Sequence, residues 1–238
     1  MTAKADVQAL LFDVFGTVVD WRSSISADLS RFGSQKGISA DWTTFTDDWR
    51  ALYQPAMEEV RSGRRSWTIL DVLHRESLEK LLAKYGIAGL TEVEKDYINR
   101  AWHRLKPWPD VIDGLKRLKT RYIIGTLSNG NVGLLTRMAK NAGLPWDVIL
   151  GAETARAYKP LPEAYLASAG LLNLEPRQVM LVAAHNGDLA AASAAGLRTG
   201  FVARPTEYGP HQKVDFKAER EWDVVADSFT GVADAMGC

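Results

Sequence analysis

The chain is poor in cysteine, in unbalanced charge and in long apolar runs, and each shortage removes a class of function. Cys238 is its only cysteine, so neither a disulfide framework nor a cysteine-based metal site can be built within the chain. That usage suits a reducing compartment. Lys and Arg total 29, as do Asp and Glu, which leaves no global field to attract nucleic acid or an anionic membrane. No stretch approaches the roughly 18 apolar residues that a membrane-spanning helix needs. Residues 1–7 are polar and lead straight into a short apolar run, unlike a signal peptide, so the expected location is the cytoplasm. A Walker-type phosphate loop, a GxGxxG fingerprint and an HExxH zinc motif are missing too.

What is present is ordinary globular material. The 238 residues are 46% apolar, enough for one large domain or a domain with a sizeable insertion. Ala9-Leu10-Leu11-Phe12 reads as a buried strand that delivers Asp13 to its C-terminal tip, ahead of a turn containing Gly16. From about residue 24 to 104 helical spacing takes over, with Leu70, Leu73, Leu78, Leu81 and Leu82 as an apolar stripe. Five of the eight tryptophans fall between Trp21 and Trp102. After Pro107-Trp108-Pro109 the strand, turn, helix texture returns. Strands are predicted over 122–127, 148–150, 179–182, 200–202 and 224–225, and helices over 132–142, 163–171 and from Asp188.

Such alternation implies a parallel sheet covered on both faces, and the helical block is too long to be a crossover. The expected architecture is therefore α/β. A doubly wound, Rossmann-like parallel-sheet core comprises residues 1–20 and 106–238, and a helical cap over 21–105 is inserted into it.

In an open parallel sheet, ligands bind beyond the carboxyl ends of the strands. The first strand ends at Asp13, the second core strand at Ser128-Asn129-Gly130, and the third at His185-Asn186-Gly187-Asp188, while Lys159 precedes a helix that begins near Pro160. A carboxylate, a hydroxyl, an amide, an ammonium and a second carboxylate thus converge on one crevice. An isolated strand-end Asp is usually a helix cap or turn former. Five such groups in one topological place define a site.

Asp13-Val14-Phe15-Gly16-Thr17, Leu127-Ser128-Asn129-Gly130, Tyr158-Lys159-Pro160 and the Asp188 segment resemble, in order and spacing, the haloacid dehalogenase superfamily, and most of all its L-2-haloacid dehalogenase branch. The helical insertion lies where that superfamily places its cap. Most members are Mg²⁺-dependent phosphotransferases, which are similar to one another in carrying a second Asp two residues after the nucleophile as general acid. Here that position is Phe15, whose ring has no proton to donate. They also cluster acidic residues on the last motif, because Mg²⁺ needs oxygen ligands. Here Asp188 stands alone, with Ala191, Ala192 and Ser193 nearby. A halide leaves without protonation, and a haloacid needs no metal. Both departures point to a metal-independent, cofactor-free hydrolase that removes halogen from a small 2-haloalkanoic acid of the haloacetate or 2-halopropionate type.

The resemblance also implies roles. Asp13 attacks C2 of the substrate and forms an enzyme ester, with Lys159 keeping it ionised by proximity. Ser128 and the backbone amides of Val14 and Phe15 hold the substrate carboxylate, unless Ser128 merely caps the next helix. Thr17 orders the turn. Arg50 resembles the arginine that receives the departing halide, Asn129 is placed to assist it, and Trp67 offers an aromatic wall. Tyr165, six residues after Lys159, matches a tyrosine that supports Asp188, the group that orients or activates water. One departure stands out: relatives carry a Ser and an Asn just before this Asp, whereas this chain reads Ala183-Ala184-His185-Asn186. His185 is accordingly a second candidate for handling water or halide, since imidazole moves protons near neutral pH. His74, His103 and His211 have no recognisable partners, and Arg61, Arg64 and Arg65 read as a solvated helix face.

The expected partners are a haloacid and the released halide, with no nucleic acid and no membrane, and a homodimer is compatible with the apolar cap. Three other readings stay open: a phosphatase-like enzyme on a small phosphoester, opening of a small strained ring by Asp13, and a non-catalytic binding module of the same fold. The first is separable by chelation. With Phe15 in place of the acid, halide release from chloroacetate should be undiminished after exhaustive EDTA treatment. Activity lost to EDTA and restored by Mg²⁺ would return the protein to the phosphatases.

Overall fold

The computed structural model describes residues 6–238, so most of the N-terminal stretch discussed above lies outside the described residues. The spine is β1 (Ala9–Phe12), apolar throughout and buried throughout. Strands covered on both faces read as continuous apolar runs rather than alternating ones. Leu10 and Phe12 point into one apolar cluster and Ala9 and Leu11 into the other, the two-residue period of a strand expressed in two cores.

Five more strands run parallel to it: β4 (Ile123–Ser128), β5 (Val148–Gly151), β6 (Val179–Ala183), β7 (Arg198–Val202) and β8 (Val224–Ala226). The order is β5-β4-β1-β6-β7-β8, with Phe12 in register with Thr126 on one side and Val182 on the other. On one face α6 (Val111–Lys119), α7 (Val132–Ala142) and α11 (Phe229–Ala235) bury residues such as Leu115, Met138 and Val232. On the other, α9 (Pro162–Leu171) and α10 (Asn186–Ala194) bury Tyr165 and Leu189. The sheet is wound on both sides. The chain builds outward from β1 to β5, then crosses back to β6, so the strand order reverses between β1 and β6. Ligand crevices open at such reversals, and Asp13 and His185 lie at the tips flanking this one.

The helical insertion enters and leaves through two short antiparallel strands, β2 (Val19–Asp20) and β3 (Lys106–Pro107), a pairing the sequence pattern did not reveal. Between them lie α1 (Trp21–Lys36), α2 (Trp42–Ala51), α3 (Tyr53–Arg61), α4 (Leu70–Lys84) and α5 (Glu92–Asn99), then a 3₁₀ turn over Arg100–His103. Asp20 starts α1 by accepting from the Ser23 amide at 3.0 Å, and Gly37 ends it in the left-handed conformation that glycine adopts without strain. The leucine stripe of α4 is buried as its spacing required. Trp21, Trp49 and Trp102 are fully buried, with Trp49 and Trp102 edge to face at 5.6 Å. These rings supply the large apolar area that a thin helical layer otherwise lacks. The core strands and the three core helices that the sequence predicted fall within two residues of expectation, whereas α6 and α11 were not anticipated. The short α8 (Ala152–Ala155) and an irregular run over 203–223, between β7 and β8, complete the chain.

Gly151 holds β5 against the tip of β4. Its φ of +136° disfavours any side chain, and an added Cβ would lie 2.1 Å from the Ser128 carbonyl oxygen, an immovable neighbour. Gly151→Ala should therefore cost more than about 2 kcal/mol of stability in urea unfolding. A loss within about 0.5 kcal/mol of zero would show that β4 can yield.

Candidate active site

Asp13 stands one residue beyond β1, its amide still donating to the Val182 carbonyl at 3.1 Å, so the sheet fixes its backbone. Its carboxylate is almost fully buried. The Lys159 ammonium donates to Asp13 Oδ1 at 2.9 Å and also to Asp188 Oδ2. Thr17 Oγ1 donates to Asp13 Oδ2 at 2.7 Å and accepts from the Ala184 amide at 2.9 Å, which ties the turn after β1 to the tip of β6. The Tyr165 hydroxyl donates to Asp188 Oδ1 at 2.6 Å. Asn129 Oδ1 accepts from the Lys159 amide at 2.8 Å; since the donor is an N–H, the oxygen must face it and the Asn129 NH₂ turns the other way.

His185 lies between two carboxylates. Its Nδ1 is 3.1 Å from Asp13 Oδ2, and its Nε2 is 2.9 Å from Glu207 Oε2. Trp21 Nε1 donates to the other oxygen of Glu207 at 2.9 Å. With an acceptor at each ring nitrogen, the doubly protonated ring is the form that satisfies both bonds. Burial opposes charge on His185, but Glu207 and Asp13 prevail and push its pKa well above the ordinary histidine value. Burial likewise pushes the Asp13 carboxyl up, yet the Lys159 charge and the His185 hydrogen bond hold it far below the usual range. Lys159 is raised by Asp13 and Asp188 despite its own burial. The resting site thus holds an ionised Asp13 between two cations.

A cavity of about 460 Å³ opens over this cluster, lined in part by Asp13, Phe15, Arg50, Asn129, Lys159 and His185. Arg50 descends from α2, its guanidinium 4.3 Å from the Tyr53 ring centre and 5.3 Å from that of Trp21. Its Nη1 is buried and makes no hydrogen bond to protein. Burying a cationic donor unpaired is costly, and the same side chain lines the cavity, so its guanidinium keeps donor capacity for a small anion there. Phe15 meets Trp102 at 5.8 Å and Tyr53 at 6.3 Å, edge to face in both cases, and so joins the nucleophile turn to the aromatic layer above it.

The structure therefore brings Asp13, Phe15, Arg50, Asn129, Lys159, His185 and Asp188 to the cavity, with Thr17 and Tyr165 behind them. Trp67 is not among the lining residues; it packs on Tyr158 at 4.9 Å, so an aromatic wall from it is not found. Ser128 accepts from the Gly130 amide at 3.1 Å, the turn-forming alternative, and it too lies behind the surface, as does buried Val14. Arg64 and Arg65 pair with exposed glutamates as a solvated face does, but Arg61 reaches the cavity. His103 has a partner after all, Asp71 at 2.9 Å, while His74 is buried against Trp102 at 4.3 Å. Glu207, Tyr208 and Asp215 were missed because they sit on the irregular run 203–223, where no motif marks them. The one trace of Glu207 is Gly16. A Cβ there, at a φ of +88°, would lie 2.0 Å from Glu207 Oε1.

A buried carboxylate at the strand-order reversal of a capped, doubly wound sheet is an arrangement suited to hydrolases of this fold. The profile of the haloacid dehalogenase-like hydrolases matches residues 7–196, and the chain belongs to that family. The crystal structure of a defluorinating L-2-haloacid dehalogenase superposes with a TM-score of 0.96 at 50% identity, covering 98% of this chain and 96% of that one. Haloacetate dehalogenase H-2 of Moraxella sp. (strain B) is 26% identical over 208 residues, 83% of this chain and 86% of its own length. A phosphoglycolate phosphatase of Salmonella choleraesuis (strain SC-B67) is 27% identical over 242 residues, 98% and 93% of the two chains. Those two identities do not separate the activities. The residues of the site must.

The charge on His185 is open to direct measurement. Because its pKa is raised, the stability it contributes is complete below about pH 6.5, the unfolded value, and is lost as pH rises through the folded value. In Glu207→Gln the main charge sustaining this shift is gone. Ring ¹⁵N resonances should show His185 titrating well below its wild-type midpoint; an unchanged midpoint would mean that Glu207 does not sustain the charge.

Proposed function

We propose that this chain hydrolyses the carbon–halogen bond of small 2-haloalkanoic acids, yielding the 2-hydroxy acid through an ester on Asp13. The observation that carries the reading is one cavity lined by both an ionised Asp13 and a buried Arg50 donor with no protein partner. Nucleophile and anion acceptor face the same space, and beside the nucleophile stands Phe15 rather than an acid.

In the first step an Asp13 oxygen attacks C2 in line. The C–halogen bond breaks, and the halide leaves with the electron pair toward Arg50 and the Asn129 NH₂. The substrate carboxylate is taken by backbone amides of the turn that follows Asp13, beside Phe15. Phe15, Tyr53 and Tyr208 supply apolar surface beside these charges, and the less water a bound substrate leaves there, the stronger each interaction becomes.

Forming the ester removes the negative charge of Asp13, one of the two that hold the proton on His185. The pKa of His185 then falls, and Glu207 remains to take up the proton or to orient the neutral ring. A water held by His185 and Asp188 attacks the ester carbonyl carbon. Its hydroxyl completes the Asp13 carboxylate, one proton completes the product alcohol, and the net reaction releases one proton with the halide. His185 is thus withheld as a base until the first step is over.

The phosphatase alternative is favoured only by overall similarity, and Phe15 leaves it without a general acid; phosphate release with and without Mg²⁺ tests it. No helix among the described residues is long and apolar enough to cross a membrane. The single cysteine supports a cytoplasmic setting, and the exposed Val72, Val93 and Tyr97 of the cap support a homodimer.

Asp13→Asn should abolish halide release with the fold intact by circular dichroism. In His185→Ala, hydrolysis should slow by about 10²–10⁴-fold, the usual worth of general-base help, while alkylation persists. Mass spectrometry of enzyme quenched during turnover should then find the substrate fragment on the Asp13 peptide. Loss of the initial halide burst without any adduct would assign His185 to the first step.

A further inference from the structure

Lys159 is fixed from three directions. Its ammonium is held by Asp13 and Asp188, its amide by Asn129, and its carbonyl by Arg61, whose Nη1 donates to it at 3.0 Å across 98 positions of sequence. The first three groups belong to the sheet domain. Arg61 belongs to the cap. It ends α3, and its guanidinium is itself braced by that helix, with Nε on Glu58 at 2.9 Å and Nη1 on the Gln54 side chain at 3.1 Å. Only 12% of its side chain is exposed, unusual for an arginine beside a surface glutamate, and it lines the mouth of the cavity.

The neighbouring contacts have the same sense. The Tyr158 hydroxyl donates to the Thr68 carbonyl at 2.7 Å, and Trp67 lies on the Tyr158 ring. The segment 61–68, which joins α3 to α4, thereby grips Tyr158 and Lys159 directly. A braced guanidinium spends little entropy on one more bond, and catalytic geometry tolerates displacements of well under 1 Å. We infer that Arg61 is a positioning residue for the dehalogenation step: by holding the Lys159 carbonyl it sets the ammonium against Asp13 only when the cap is seated. The nucleophile is then fully prepared only in the closed chamber, which restricts alkylation to a substrate already enclosed.

This inference rests on the dehalogenase reading, and its test separates the two. Arg61→Gln, Arg61→Lys and wild type are compared for the rate of the halide burst on 2-chloropropionate, for Tm, and for amide exchange in peptides spanning 156–161. The expected result is a burst at least tenfold slower in Arg61→Gln, largely restored in Arg61→Lys, whose ammonium can reach the same carbonyl. Tm should change by no more than a few degrees in both, and exchange around Tyr158 and Lys159 should quicken in Arg61→Gln alone. A burst in Arg61→Gln equal to that of wild type overturns the assignment. So does an equal loss in both variants that follows Tm. A wild-type protein that releases no halide from any 2-haloacid would count against the dehalogenase reading instead, and the exchange measurement alone would then decide whether Arg61 holds Lys159.

Discussion

One ammonium group organises this molecule. Lys159 is the cation between Asp13 and Asp188, two carboxylates that are largely removed from solvent. Two buried anions without it would repel each other and lose hydration together, a penalty of several kcal/mol for each ion. With it, β1, the approach to α9 and the first turn of α10 are drawn to one point. The sheet makes this possible by reversing its strand order between β1 and β6, so that segments far apart in sequence end side by side.

The layer above the site is constrained just as tightly. Phe15, Trp21, Tyr53 and Trp102 form a continuous set of rings from the nucleophile turn into the cap. Arg50 is embedded among them, its guanidinium packed on the Tyr53 and Trp21 rings with no carboxylate in salt-bridge contact, although Glu207 acts on it from further off. That environment can stabilise a guanidinium by cation–π attraction without neutralising it, so the charge remains available to a small anion. A salt-bridged arginine in the same place would already be spent.

Much of this was legible in the residues. The continuous apolar run over 9–12, the leucine spacing over 70–82 and the returning strand–helix alternation are local patterns, and each dictated an element close to where it occurs. The site motifs were legible because strand tips in a parallel sheet converge by topology, so Asp13, Asn129, Lys159 and Asp188 could be placed together without coordinates. What stayed hidden was set by distant partners. Glu207 and Tyr208 come from an irregular run whose path no periodicity encodes, Ser128 and Trp67 lie outside the cavity lining, and Arg61 ends α3 against the Lys159 carbonyl while Arg64 and Arg65 follow the helix and pair with exposed glutamates.

The buried pair of His185 and Glu207 restricts how this site could have arisen. Glu207 introduced alone would leave a carboxylate enclosed beside Asp13 with no cation between them, and His185 introduced alone would lack the charge that keeps it protonated. Either single step from an uncharged pair is penalised, whereas the two together are stable. Gly16 adds a third condition, since the space Glu207 fills exists only where that residue has no side chain. Lineages carrying this trio should therefore be separated from those lacking it by neutral intermediates such as Gln at 207.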